Sequence, residues 1–353
     1  MDFNGRRLSI ARQRRMLSQK GFAERAGVSA HTVSRCEKGL HEPTDSNVEA
    51  FASVLGFPKA FFYSADVDRP MEASFRSQAA MTAALRDAAL SAGSIGYLIS
   101  DWVEQRFNLP AVDLPDLTLH EPEAAARVLR EHWSLGERPI SNMVHLLESK
   151  GVRVFSLTEE TRRLNAFSIW RDSKPYVFLN TFKSAESSRF DAGHELAHLV
   201  LHQDGTSGRA AEDQANRFAS SFLMPRASVF SRMPWVSGVD SLISHKSFWK
   251  VSVAALNYRA HKLDITSDWQ YRDLCIQIAQ RRYNTSEPAP IARETSVVWD
   301  KVLKLLWQDR KSIASLAAEL ALPETEVNSL VFGTLASGAQ GRGLLEPLRL
   351  VTE

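Results

Sequence analysis

The stretch DAGHELAHLVLH, residues 191–202, sets His194 and His198 four positions apart, places Glu195 directly after the first and ends on His202. On a continuous helix, residues four apart are rotated by about 400° and separated by about 6 Å along the axis, so both imidazoles can aim ring nitrogens at one ion. Glu195 projects beside that point rather than into it, where a carboxylate can hold water at a metal and take its proton. His202 lies another turn along, about 12 Å from His194, and three ligands in such a row cannot converge on one tetrahedral ion. His202 is therefore expected behind the site or at the helix end, and the third ligand is expected from another helix.

The next helical stretch, RAAEDQANRFASSFLMPR, offers that ligand. With Ala215, Phe218, Ala219 and Phe222 as its buried stripe, Glu212 falls near the buried edge, while Asp213 points further round toward solvent. A Glu on one helix completing two His on another leaves the fourth position open, as catalytic zinc sites do. The plainer alternative is that Glu212 sits in the first turn of its helix and favours the dipole there. Taken together, RFDAGHELAHLVLH and EDQANRFASSFLMP resemble the ImmA/IrrE family of metallopeptidases over roughly residues 120–235. That resemblance implies a gluzincin-like fold with His194, His198 and Glu212 holding Zn2+, Glu195 as general base and Asn216 supporting a ligand from behind. It also implies a protein substrate, typically a partner repressor or antitoxin. A site with these donors can accept Mn2+ or other divalent ions as well.

The N-terminal sixty residues read as short helices with clear caps. Ser18 opens SQKGFAERA and Gly27 ends it; Ser29 opens SAHTVSRCEKG and Gly39 stops it. A preceding helix over RRLSIARQRRM is expected to turn Leu8, Ala11 and Met16 inward. Two short helices around Ala26-Gly27-Val28 form a helix-turn-helix pattern, the second placed to enter a major groove. LSQ, AGVS, TVSRCEKG and the trailing helix make residues 6–62 similar to the phage-repressor and Cro type (XRE-like) family, apart from Gly21 in mid-helix. The resemblance implies a double-stranded DNA operator as partner, with Gln19 and Ser29 on phosphates and His31, Thr32 and Arg35 toward base edges. Arg35 is the best guanine reader, since its planar fork can donate to O6 and N7 together. A homodimer on two half-sites is the expected assembly.

Charge agrees with that placement. The whole chain of 353 residues carries a net charge of only +2. Yet residues 1–41 hold nine Lys or Arg against three acids, a local excess suited to phosphate. The 44% hydrophobic and 24% charged content are those of a soluble globular protein. No apolar run reaches the ~18 residues of a membrane span and no signal peptide is visible, so a cytoplasmic protein without membrane contact is expected. Cys36 and Cys275 form no CxxC pair and are both expected as small buried hydrophobes.

Between the landmarks, EASFRSQAAMTAALRDAALSAGSIGYLISDWVEQRFNLP reads as two helices broken near Ala92-Gly93. A helix at 139–150 precedes VRVFSL, NAFSIW and PYVFLN, expected as a small antiparallel sheet with NAFSIW as the edge that could hold substrate backbone. The last third is helical and ends in a glycine-rich tail, 335–353, expected to be mobile. Its PETEVNSLV repeats a recognition-helix pattern but carries two acids and no base, so packing or protein contact is expected there.

The sequence thus implies a mainly α fold with a small antiparallel sheet (α+β). Its expected parts are a helix-turn-helix bundle at 1–66, a helical linker at 67–118, a gluzincin-like peptidase domain at 119–235 and a helical region at 236–353. The function expected is a DNA-binding transcriptional regulator fused to a zinc metallo-endopeptidase. Two alternatives stand beside it: a regulator whose peptidase-like domain senses without cutting, and the DNA-binding member of a toxin–antitoxin pair.

Overall fold

The computed structural model describes residues 2–70, 82–157 and 166–333. Helices α1 (Gly5–Arg14), α2 (Gln19–Ala26), α3 (Ala30–Glu37) and α4 (Asp45–Leu55) open the chain. Asn4, Ser18, Ser29 and Thr44 cap them in turn by accepting backbone N–H groups of the first turn. Gly27 ends α2 in the left-handed region at φ 67°, which sets the turn before α3. Leu8, Phe22, Val33, Phe51 and Phe61 fill the space between these helices. Met16 differs from its expected place: α1 stops at Arg14, and Met16 stands 49% exposed with φ 53° in the turn that follows.

Helix α5 (Ala83–Glu104) runs unbroken through Ala92 and Gly93, where a break was expected. Its glycines serve close packing instead. A Cβ on Gly93 would lie 2.6 Å from the Pro70 ring, and one on Gly96 would lie 2.8 Å from the Phe178 ring. The part of that expectation covering 72–81 lies outside the described residues.

Helices α6 (Pro122–His132) and α7 (Met143–Ser149) lead into strands β1 (Arg153–Leu157), β2 (Phe167–Arg171) and β3 (Lys174–Asn180). The sheet has the order β1-β3-β2 and is mixed rather than antiparallel: β2 pairs antiparallel with β3, whereas β1 pairs parallel with it, Arg153 opposite Tyr176. Side-chain alternation reports the two faces of a strand and not its direction, which is why the spacing misled. β2 does lie at an edge, as expected of NAFSIW, whose Asn165 is outside the described residues.

Helices α8 (Ala185–Leu201), α9 (Arg209–Leu223), α10 (Arg226–Arg232), α11 (Val239–Trp249), α12 (Val253–Lys262) and α13 (Asp268–Gln280) follow. Then come α14 (Val297–Gln308), α15 (Ile313–Glu319) and α16 (Glu324–Leu330). Two hydrophobic cores share the sheet between them. Tyr176 and Phe178 of β3 join the core of α1–α5 and α14–α16. Val177 and Leu179 of the same strand join the core of α6–α13. The helices after residue 235 are therefore divided between the two.

Helix α16 binds the N-terminal helices by charge as well as by apolar contact. Glu326 accepts from Arg14 at 2.8 Å and from Arg15, with only 7% of its side chain exposed. Burial alone would raise its carboxyl, but the two guanidinium groups hold it below the ordinary glutamate range. This acid of PETEVNSLV packs, as its charge implied. Of the two thiols, Cys36 is buried and Cys275 is exposed on α13, contrary to expectation. The tail at 335–353 lies outside the described residues.

Candidate metal centre and DNA-facing helix

Ser184 caps α8, and the helix then passes through the interior with His194, Glu195 and His198 all buried. Helix α9 lies against it and brings Glu212 opposite the two histidines. His194 Nε2 is 3.4 Å from Glu212 Oε2, His198 Nε2 is 3.6 Å from Glu212 Oε1, and the two Nε2 atoms are 3.1 Å apart.

The outward-facing ring nitrogens are all engaged. His194 Nδ1 meets Asn216 Oδ1 at 3.2 Å, His198 Nδ1 meets His202 Nδ1 at 2.9 Å, and His202 Nε2 meets Gln214 Oε1 at 2.9 Å. One proton arrangement satisfies these three contacts. His202 donates from Nε2 to Gln214 and accepts at Nδ1 from His198, while His194 donates from Nδ1 to Asn216. Both Nε2 atoms are then left as lone pairs facing each other. Burial, then the neighbouring His194 and His202, pushes His198 down to about 2, so its imidazole is neutral, the form that ligates.

Two opposed lone pairs and a carboxylate repel one another unless a positive charge lies between them. Glu212 Oε2 is buried without a hydrogen-bond partner. Among the described residues, His194, His198 and Glu212 form a group with one donor atom each within 4.8 Å of the others. The donor set fits a divalent ion of the zinc type.

Glu195, next along α8, turns toward β2, where Ser168 Oγ donates to its Oε2 at 2.7 Å. Trp170 of the same strand donates to the Leu199 carbonyl, fixing the edge strand across the helix. Ser168 and Gln214 had no signature in the sequence; both reach the site through the packing of separate elements. Asp213 is exposed and outside the group, whereas His202 sits at the C-terminal cap of α8. A cleft of about 520 Å³ opens beside the centre, with Asp191, Asp213, Asn216 and Tyr258 in its walls.

On the N-terminal face, His31 and Arg35 of α3 are exposed, Thr32 is half-buried, and Arg35 donates to the Leu40 carbonyl at 3.2 Å. Ser29 spends its hydroxyl on the cap and on Thr32. Gln19 donates to Glu37 at 2.6 Å, and Arg12 also pairs with Glu37. The basic excess is smaller on the surface than in the count. Arg6 pairs with Asp66, Arg7 donates to the Ala65 carbonyl, Arg12 pairs with Glu37, and Arg14 and Arg15 pair with Glu326. Lys20, Arg25, Arg35 and Lys38 remain exposed on α2, α3 and the turn after it.

Comparison with known families agrees with both parts of the chain. Residues 147–261 match the IrrE N-terminal-like domain and residues 5–60 match a helix-turn-helix domain. No curated protein matches the chain. Among the described residues no helix is long and apolar enough to cross a membrane. The chain thus carries, on one polypeptide, an XRE-like helix-turn-helix domain and an ImmA/IrrE-like domain of the metallopeptidase type.

Proposed function

We propose that the protein is a DNA-binding transcriptional regulator whose second domain is a zinc-dependent endopeptidase acting on a partner protein of the repressor or antitoxin kind. The observation that carries this reading is the convergence of His194 Nε2, His198 Nε2 and Glu212 on one point, with Glu195 on the same helix. Zinc held by those three side chains would supply Lewis acidity toward a peptide carbonyl and acidify water. Glu195 takes the proton of the attacking water on its carboxylate and returns it to the leaving amine. Ser168 steadies that carboxylate, and Asn216 and His202 fix the tautomers of His194 and His198. The edge strand β2 lies across α8, where it can pair with an extended substrate.

The N-terminal domain reads a double-stranded operator, as a homodimer in the cytoplasm. Arg35 and His31 reach base edges, Thr32 stands beside them, and Gln19 and Ser29 lie at the phosphates. Arg35→Ala is expected to weaken operator binding by about 1–3 kcal/mol.

The deciding experiment compares wild type with Glu195→Gln for metal content by elemental analysis, operator binding by gel shift, and cleavage of candidate partners by mass spectrometry. The expected result is equal zinc and equal DNA binding, with cleavage lost in the variant. Absence of cleavage in both proteins, with DNA binding that responds to metal, would replace the enzyme by a sensor that does not cut.

A further inference from the structure

We propose that the cleft beside the metal centre takes up a lysine or arginine side chain of an extended polypeptide, with Asp213 as its counter-ion; this rests on the peptidase reading and gives it a substrate class. The cleft is walled by α8, α9 and α12 and by Asn284 and Thr285, and at about 520 Å³ it has room for a large side chain and its neighbours. Asn216, whose carboxamide meets His194, is part of the same wall, so the cleft adjoins the reacting centre.

Three charged side chains line it, Lys183, Asp191 and Asp213. Two of them cancel. Lys183 Nζ donates to Asp191 Oδ2 at 2.6 Å, with 14% and 3% of these side chains exposed. The side chain of Asp213 is exposed and makes no ion pair or hydrogen bond with the described residues. Arg217, one turn along α9, is drawn instead toward Glu121 at 3.6 Å. An uncompensated carboxylate in a concave wall concentrates negative potential where a cationic side chain can reach it. Tyr258 shares that wall, and its phenol is raised by burial first and by the Asp213 charge second. It therefore stays neutral and adds an aromatic ring to the wall; Lys262 Nζ lies 5.5 Å over that ring, the kind of contact that an ammonium or guanidinium group makes.

The test uses the full chain with Glu195→Gln and fluorescein-labelled decapeptides of Gly, Ala and Ser that differ only in a central Arg, Gln or Glu. Fluorescence anisotropy should show the Arg peptide binding at least about tenfold tighter than the Glu peptide, a charge-based discrimination. Adding Asp213→Asn should reduce the ratio to about twofold or less, and Asp213→Lys should reverse it. Equal affinities, a preference that survives Asp213→Asn, or no binding of any peptide would overturn the proposal. Mass spectrometry of the same peptides with wild type keeps the two readings apart. Cleavage without preference for Arg removes the inference and leaves the peptidase. Asp213-dependent binding without cleavage of any peptide does the reverse.

Discussion

At the residue scale, the site is a relay of imidazoles whose outer members decide what the inner ones can do. His202 is too distant along the helix to share an ion with His194, yet its Nδ1 fixes the tautomer of His198, and Gln214 fixes His202 in turn. Removing His202 should therefore weaken metal binding without abolishing it. His202→Ala is expected to lower zinc affinity by about 10–100-fold, as outer partners of ligating histidines commonly do. Competition with a chromophoric chelator measures this, and His194→Ala serves as the reference for complete loss. An unchanged affinity in His202→Ala would mean that His198 holds its tautomer alone.

At the element scale, what could be read in advance follows from locality. His194, Glu195 and His198 lie on one continuous helix, and Glu212 and Asn216 lie one turn apart on the next, so helical periodicity alone sets their faces. Caps at Ser18 and Ser29 are equally local. Ser168 belongs to a strand, and its contact with Glu195 depends on how that strand crosses α8, a long-range fact without a local pattern. The parallel pairing of β1 was hidden for the same reason. A glycine in a helix marks either a break or a close approach, and for Gly93 only the presence of Pro70 decides between them. Arg14 and Arg15 add to the basic count near the N-terminus, but their partner lies far along the chain: Glu326 is 311 residues from Arg15 and 312 from Arg14.

Helix α14 offers a second test at this scale. Its N-terminus is received by the buried Glu148 of α7, which accepts from the Ser296 hydroxyl and from the backbone N–H groups of Val297 and Val298. Burial outweighs these bonds and pushes the carboxyl up from 4.5 to about 7. A group whose folded pKa is raised binds its proton more tightly when folded. Its contribution is intact below the unfolded value of 4.5 and is lost as pH rises toward about 7. Stability of wild type relative to Glu148→Gln should therefore fall by about 3 kcal/mol between pH 4.5 and 8, as urea unfolding at each pH would show. A constant difference across that range would mean that the carboxyl of Glu148 titrates alike in the folded and unfolded chain.

At the scale of the whole molecule, the family boundaries and the packing boundaries do not coincide. The helix-turn-helix domain ends by residue 60 in the family comparison, yet its core continues through α5 and into α14–α16. Trp102 of α5 and Arg106, just past its end, both donate to Glu319 of α15. Ser156 of β1 donates to the Ser329 carbonyl and accepts from the Phe332 N–H at the end of α16. The C-terminal helices thus clamp the helix-turn-helix bundle to the sheet that borders the candidate metal site.

The shared strand has a thermodynamic consequence. Residues 176–179 alternate between two cores, so their backbone cannot melt for one without being lost to the other. Two functional domains are then one cooperative unit, and calorimetry should record a single endotherm whose van't Hoff and calorimetric enthalpies agree. Two resolved endotherms would show that the strand can be released from one side alone. If there is a single melting event, zinc should raise the temperature at which the helix-turn-helix loses its grip on DNA, because a ligand of the native state stabilises every part that unfolds with it.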